Sequence, residues 1–105
     1  MIANRTIEAI TDKLIGAFGP EKVILFGSQA RETSDERSDI DLLVVCSFDG
    51  KRRHLMVEMD RALDDIDYAF DILILTPEEF SRDRAIPGTI GRYADLEGRI
   101  LYERN

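Results

Sequence analysis

Several kinds of residue and segment are scarce in this 105-residue sequence, and their scarcity excludes some classes of protein. The single cysteine, Cys46, can form no disulfide within the chain, and its place in an apolar run indicates core packing rather than reactivity. No apolar run approaches the ~20 residues that cross a bilayer, and the N-terminus lacks the basic-then-apolar order of a secretory signal. These absences predict a cytoplasmic protein that does not enter a membrane.

Positive charge is also in short supply, because 14 lysines and arginines stand against 21 aspartates and glutamates, for a net charge of −7. Broad nucleic-acid surfaces neutralise phosphates with lysine and arginine, so direct nucleic-acid binding is not expected. The short basic run Lys51–His54 is interpreted as the exposed first turn of a helix. Apolar residues make up 44% of the chain, enough for the core of one domain over residues 1–105.

Helical and strand patterns alternate along the chain. Apolar spacing and apolar runs predict, in order, helix 5–18, strand 23–26, a short helix 29–34, strand 40–47, helix 51–66, strand 69–75, a helix from Pro77, a short helix 89–96 and an edge strand 99–103. Thr76-Pro77-Glu78-Glu79 is a strong helix start, since it combines a cap, an early proline and acids at the positive end of the helix dipole. We therefore expect an α+β (mixed α/β) fold, with a small mixed sheet, αβαβαβ core order and helices packed on the sheet.

Two acidic residues, Asp39 and Asp41, stand at the head of the second strand, where β-propensity favours neither. Residues two apart in a strand point to the same face, about 6.6 Å apart along its axis, so their carboxylates can converge. Asp71, near the head of the third strand, joins the pair if the two strands are neighbours. Three carboxylates this close repel one another unless a cation is present, and oxygen ligands favour Mg²⁺ or Mn²⁺.

Three other aspartates are alternatives for the third carboxylate. Asp64, Asp65 and Asp67 lie in a predicted helix end or turn. Aspartate is common at such places because it is readily solvated there. Asp71 is therefore the preferred third member of the predicted metal site.

A glycine-serine pair, Gly27-Ser28, follows the first strand and predicts a second kind of site. Glycine lets a backbone approach a ligand closely, and the amides that open a helix bind anions. Two metal ions about 4 Å apart can clamp the attacking and leaving oxygens of a phosphoryl transfer. Phosphates on one side and metals on the other predict a nucleoside triphosphate site.

The spacing of these residues resembles a known signature. Gly27-Ser28, then ten residues, then Asp39-Ile40-Asp41 is similar to the motif of DNA-polymerase-β-like nucleotidyltransferases. Within that superfamily, the stretches 26–31 and 38–44 resemble minimal nucleotidyltransferase (MNT) domains, often encoded beside a HEPN-domain protein as a toxin–antitoxin pair. The stretches 70–73, 76–79 and 97–103 match as well, so the resemblance covers most of the chain. Glu32 departs from the pattern, since many relatives have glycine there, which bears on the 29–38 loop but on no metal ligand.

The resemblance implies a role for each residue of the motif. Gly27 and Ser28 would hold the β- and γ-phosphates of ATP. Arg31 is either a phosphate or partner contact or an ordinary surface arginine. The paired aspartates at the head of the second strand would bind the metals, and Asp71 would complete the metal site and help to deprotonate the acceptor.

The resemblance also implies an activity. An MNT antitoxin transfers AMP from ATP to a tyrosine hydroxyl of its HEPN toxin, an RNase, and so neutralises it. The sequence ends soon after the predicted core and leaves little surface for an acceptor pocket, so the acceptor is expected to come from that partner chain. Two alternatives stay open: an antitoxin that masks the toxin by contact without catalysis, and the catalytic subunit of a split small-molecule adenylyltransferase.

Overall fold

The computed structural model describes residues 2–27 and 39–104. The elements in these ranges are, in chain order, helix α1 (Asn4–Phe18), strands β1 (Lys22–Phe26) and β2 (Ile40–Val45), helix α2 (Arg52–Ala62), strand β3 (Phe70–Leu75), helices α3 (Pro77–Asp83) and α4 (Ile90–Glu97), and strand β4 (Arg99–Glu103). Within the described ranges, no helix has the length and apolar character needed to cross a membrane. The elements predicted there are confirmed, whereas the predicted helix 29–34 lies outside the described residues.

Two predicted elements are shorter than expected. β2 ends at Val45 rather than at residue 47, and α2 ends at Ala62 rather than at residue 66. Asp64 and Asp65 follow the end of α2, and negative charge is unfavourable at the negative end of a helix dipole. The apolar spacing therefore predicted a longer helix than the one observed, because it takes no account of these two charges.

The four strands of the described sheet lie in the order β3-β2-β1-β4. β1 is antiparallel to both β2 and β4, whereas β2 and β3 run parallel, so the sheet is mixed, as predicted. The parallel pair needs a crossover connection, and α2 lies in that connection. β4 lies at one edge of the sheet, as predicted, and β3 at the other.

The helices pack on both faces of the sheet. The face covered by α1 and α2, here called the α1/α2 face, is formed by a cluster that includes Ile10, Leu14, Leu25, Leu42, Val44, Met59 and Leu63. The opposite α3/α4 face is formed by Ile24, Phe26, Leu43, Val45, Phe80 and Ala94. Because side chains alternate between faces along a strand, the odd-numbered residues of β2 belong to the α3/α4 face. Asp41 is one of them.

Local signals set the ends of two helices where the sequence predicted them. Gly19 ends α1 in the left-handed conformation, with φ of 57°. The Thr76 hydroxyl accepts from the Glu79 amide at 3.1 Å, and the Glu79 carboxylate accepts from the Thr76 amide at 2.9 Å. Cys46 is buried, in agreement with a packing role.

Gly98, between α4 and β4, is a position where a side chain would not fit. A Cβ there would meet the Ala94 carbonyl oxygen and Ile24 Cγ2, with the Leu25 carbonyl oxygen at 3.1 Å. We expect Gly98→Ala to destabilise the protein by about 1–3 kcal/mol, the usual cost of overpacking. Gly16→Ala is the matched control, because Gly16 lies inside α1 with open space around it, and there alanine should stabilise by about 0.5–1 kcal/mol. Urea denaturation measures both, and a Gly98→Ala protein as stable as the parent would contradict this packing.

Candidate active site

The head of β2 lies between its two neighbouring strands, and their registers place three residues in one row. Asp41 is opposite Phe26 of β1 on one side and opposite Asp71 of β3 on the other. Residues paired in this way project from the same face, here the α3/α4 face, and adjacent strands lie about 4.8 Å apart. The condition set by the sequence, that the strands of Asp41 and Asp71 be neighbours, is confirmed.

The three predicted aspartates differ in exposure. Asp41 is half-buried, whereas Asp39, one residue before β2, and Asp71 are both exposed. Burial raises the pKa of the Asp41 carboxyl, and the charges of Asp71 and then Asp39 raise the pKa further. Asp71 and Asp39 are therefore each close enough to Asp41 to interact with it electrostatically. Such repulsion is relieved by protonation or by a cation.

Gly27 lies directly beside this row. It follows β1 with φ of 75°, a left-handed conformation that glycine adopts readily, and a Cβ on it would meet Asp41 Oδ2. The Asp41 carboxylate thus fills the space that a side chain on residue 27 would need, and it packs directly on the Gly27 backbone. The other two residues predicted to bind phosphate, Ser28 and Arg31, lie outside the described residues.

The chemistry of this donor set fits a hard divalent cation. In residues 2–27 and 39–104, no three carboxylate, histidine or cysteine side chains form a complete metal-binding cluster. Mg²⁺, however, is usually held by one or two carboxylates together with substrate phosphates rather than by an all-protein cage. Asp41 and Asp71 supply two such carboxylates in one row, next to a glycine whose backbone packs on Asp41.

The three aspartates that were alternatives for the third carboxylate have other surroundings. Asp65 forms an ion pair with Lys13 at 3.0 Å, and the hydrogen bond from Lys13 lowers the pKa of Asp65. Asp64 and Asp67 are exposed in the connection between α2 and β3. Of the four candidates, only Asp71 is in register with Asp41.

The basic run is the start of α2, as predicted. Lys51 is the residue that caps α2, and Lys51–His54 are exposed. Arg52 donates two hydrogen bonds to the Glu79 carboxylate, at 2.9 and 2.8 Å, and its guanidinium lies 5.5 Å from the centre of the Phe48 ring. These contacts give Arg52 a structural role in joining α2 to α3.

Comparison with protein families decides the class of the chain. Residues 8–105 match the family described as Polymerase beta, Nucleotidyltransferase. The chain belongs to this family. Comparison with curated proteins found no match for this nucleotidyltransferase.

The fold of this nucleotidyltransferase also occurs in a solved complex. A chain in a crystal structure of a toxin–antitoxin with AMP-PNP superposes with a TM-score of 0.71 at 19% sequence identity. The match covers 94% of the nucleotidyltransferase and 74% of that chain. At this identity the likeness establishes a shared fold.

Two aromatic residues, one in the row of Asp41 and Asp71 and one packed against it, were not among the predicted site residues. Phe26 ends β1 in the row itself, and Tyr93 of α4 packs against it edge to face, with ring centroids 6.1 Å apart. Phe26 could have been noticed because it precedes Gly27. Nothing in the sequence pattern singled out Tyr93, because the contact joins residues far apart in the chain.

Proposed function

We propose that this nucleotidyltransferase is an antitoxin that transfers AMP from ATP to a tyrosine hydroxyl of a co-encoded HEPN-type RNase toxin, with Mg²⁺ or Mn²⁺ as cofactor. One observation carries the proposal: Asp41 and Asp71 lie side by side in register on neighbouring strands, next to a glycine whose backbone packs on Asp41. That arrangement, in a member of this family, supports nucleotidyl transfer rather than a purely structural use of the fold.

Each residue has a role in this proposal. Gly27 and Ser28 hold the phosphates, and Asp39 and Asp41, with Asp71, are the residues that would hold the cation. A bound divalent cation supplies charge neutralisation for the phosphates. Asp71 accepts the proton of the acceptor hydroxyl. The hydroxyl oxygen forms a bond to the α-phosphorus, the bond from that phosphorus to the bridging oxygen breaks, and pyrophosphate leaves.

A protein acceptor suits the exposure of the site. Asp39 and Asp71 are both exposed, so a group carried by another macromolecule can reach them. The complex that shares this fold is described as a toxin–antitoxin with AMP-PNP, an ATP analogue, which favours the same pairing of nucleotide and partner here. The exposed carboxylate of Asp71 is less suited to a small acceptor, which proteins usually enclose in a concave pocket.

The decisive experiment is incubation of the protein with ATP, Mg²⁺ and the co-encoded protein, followed by intact-mass measurement of both chains. A gain of AMP on the partner is the expected result, and digestion should place it on a tyrosine. A stable complex with unchanged masses would instead select masking by contact. If neither complex nor transfer forms, while AMP passes to a small hydroxylated compound supplied in its place, the chain acts as a small-molecule adenylyltransferase subunit.

A substitution at Gly27 tests the proposed phosphate contact. We expect Gly27→Val to raise the KM for ATP strongly, because the added side chain would displace the Asp41 carboxylate and would keep a phosphate away from the Gly27 backbone. Gly50→Val is the matched control, since Gly50 has φ of 84° and nothing within 4 Å of a Cβ. Backbone strain should cost each variant about 1–3 kcal/mol of stability, and Gly27→Val should lose more because its Cβ also meets Asp41 Oδ2, but only Gly27→Val should lose ATP affinity. Unchanged ATP dependence in Gly27→Val would show that Gly27 is not a phosphate contact.

A further inference from the structure

The outer edge of β3 has backbone groups that no strand in the described part of the chain pairs with. The Ile40 amide donates to the Ala69 carbonyl at 2.9 Å, and the Cys46 amide donates to the Leu75 carbonyl at 2.9 Å. Since alternate residues of a strand direct their backbone groups to opposite sides, the odd-numbered residues of β3 bond to β2. Phe70, Ile72 and Ile74 therefore direct their N–H and C=O groups outward, where no strand of the described residues pairs with them.

An apolar groove follows this edge. It lies between α2 and β3, has a volume of about 320 Å³, and includes Met56, Val57, Phe70 and Asp71 in its lining. Met56 is 36% exposed and Val57 is 41% exposed, although both are large apolar side chains. Leu73, on the other face of β3, is also exposed. Exposed apolar residues thus flank this edge on both faces of the strand, and Asp71 borders the groove although its side chain projects from the α3/α4 face.

We propose that this edge receives an extended segment of the partner protein, which pairs with β3 as an added strand and places its acceptor hydroxyl opposite Asp71. The inference rests on the proposed function, and it adds where the acceptor docks. A paired strand would extend the row of Phe26, Asp41 and Asp71 by one residue. The side chain opposite Asp71 would then project from the same face as the carboxylates, with its Cβ about 4.5–5.5 Å from that of Asp71.

Charge and hydrogen bonding together identify the occupant. A row of outward N–H and C=O groups is satisfied fully only by another extended backbone, which is the basis of recognition by strand addition. A second copy of this chain is a poor occupant, because each copy has a net charge of −7 and the pairing of two β3 edges would bring exposed carboxylates together. Asp60 and Arg61 both line the groove, so its own charges largely offset, and the net charge of −7 together with Asp71 at the edge favours a neutral or basic segment.

Amide hydrogen exchange measured by NMR tests the inference. The ¹⁵N-labelled chain is compared alone and with the unlabelled co-encoded protein. We expect the outward amides of Phe70, Ile72 and Ile74 to exchange at least ~10-fold more slowly in the complex, because pairing protects them. The amides of β4, at the other edge, serve as the internal control and should not change.

A pair of variants tests the groove. Val57→Asp should weaken the complex at least ~10-fold, since it places a charge in an apolar contact. Leu96→Asp is the matched control, because Leu96 is 63% exposed on α4, away from β3, and it should bind the partner like the parent protein. Equal binding by the parent and Val57→Asp would overturn the groove assignment.

The remaining outcomes separate this inference from the proposed function. Transfer of AMP to the partner without protection of the outward β3 amides would leave the proposed function standing and overturn strand addition. Protection of those amides without AMP transfer would support strand addition and overturn the proposed function. Failure of the two proteins to form a complex would overturn the inference, as would protection of the same amides in the free protein at high concentration, which would indicate self-association.

Discussion

Asp41→Asn protein is expected to lose AMP transfer by more than ~100-fold and yet to unfold less readily than the parent at neutral pH without divalent cations. Even residues that only support a metal ligand cost ~10–100-fold when replaced, so loss of the ligand itself should cost more. The gain in stability follows from electrostatics, because burial and the charges of Asp71 and Asp39 raise the pKa of Asp41. Asparagine removes the charge that burial and repulsion oppose.

The pH dependence of this gain has a definite sign. Because the pKa of Asp41 is raised in the folded protein above its ordinary value of 3.8, the folded state binds a proton more tightly than the unfolded state. The stability of the parent therefore falls as pH rises from the unfolded pKa through the folded pKa, and the penalty is complete above that window. The advantage of Asp41→Asn should be present at pH 7 and disappear as pH falls below the unfolded pKa.

Urea denaturation in the presence of a chelator measures the stability difference, and Asp49→Asn is the control. Asp49 is an exposed aspartate outside the row, so its replacement changes the net charge equally without relieving the cluster. Mg²⁺ should stabilise the parent and not Asp41→Asn, by about 2.7 kcal/mol at a concentration 100-fold above its Kd. Near-normal transfer by Asp41→Asn would contradict the role of this carboxylate, and so would equal stabilisation of both proteins by Mg²⁺.

Asp71→Asn is expected to separate binding from catalysis. A tyrosine hydroxyl has a pKa of about 10, so at neutral pH it is a weak nucleophile until a base takes its proton. The variant should still bind ATP through Gly27 and Asp41, and it should still bind the partner, since asparagine nearly preserves the shape of the side chain. Transfer should fall by at least ~100-fold, the usual contribution of a positioned base. In cells, the variant should fail to protect against the toxin although the complex forms.

Asp64→Asn is the matched control for this experiment, because Asp64 is exposed in the connection between α2 and β3 and belongs neither to the groove lining nor to the row of Phe26, Asp41 and Asp71. It should transfer AMP and protect cells like the parent protein. Isothermal titration with ATP and with the partner verifies that Asp71→Asn retains both interactions. Protection by Asp71→Asn equal to that of the parent would mean that contact alone neutralises the toxin.

Local features of the fold could be predicted because short segments determine them. Thr76 and Glu79 form a capping box within four residues, and Gly19 ends α1 through its own left-handed conformation. The end of α2 was placed too late, because apolar spacing continues to Ile66 while Asp64 and Asp65 oppose the helix dipole. Local charge outweighed periodicity at that point.

The candidate site was predictable in part for the same reason. Asp39 and Asp41 are two residues apart, so strand geometry alone places them together. That Asp71 lies directly opposite Asp41 depends on a parallel register, which a crossover through α2 sets and which no short segment encodes. The same limit applies to the groove, where Met59 is buried and Met56, only three residues earlier, is exposed beside β3.

The pairing of β1 with β4 also determines when β1 becomes fully paired during synthesis of the chain. β1 is buried at every residue and has β2 on one side, but its other side is completed only by Arg99–Glu103. On the ribosome, β1, β2 and β3 emerge before β4, so a strand that is buried at every residue keeps one hydrogen-bonding edge open until β4 has emerged. A chain that stops before residue 99 would contain Asp39, Asp41 and Asp71 yet should aggregate through that edge rather than persist as a partly active protein.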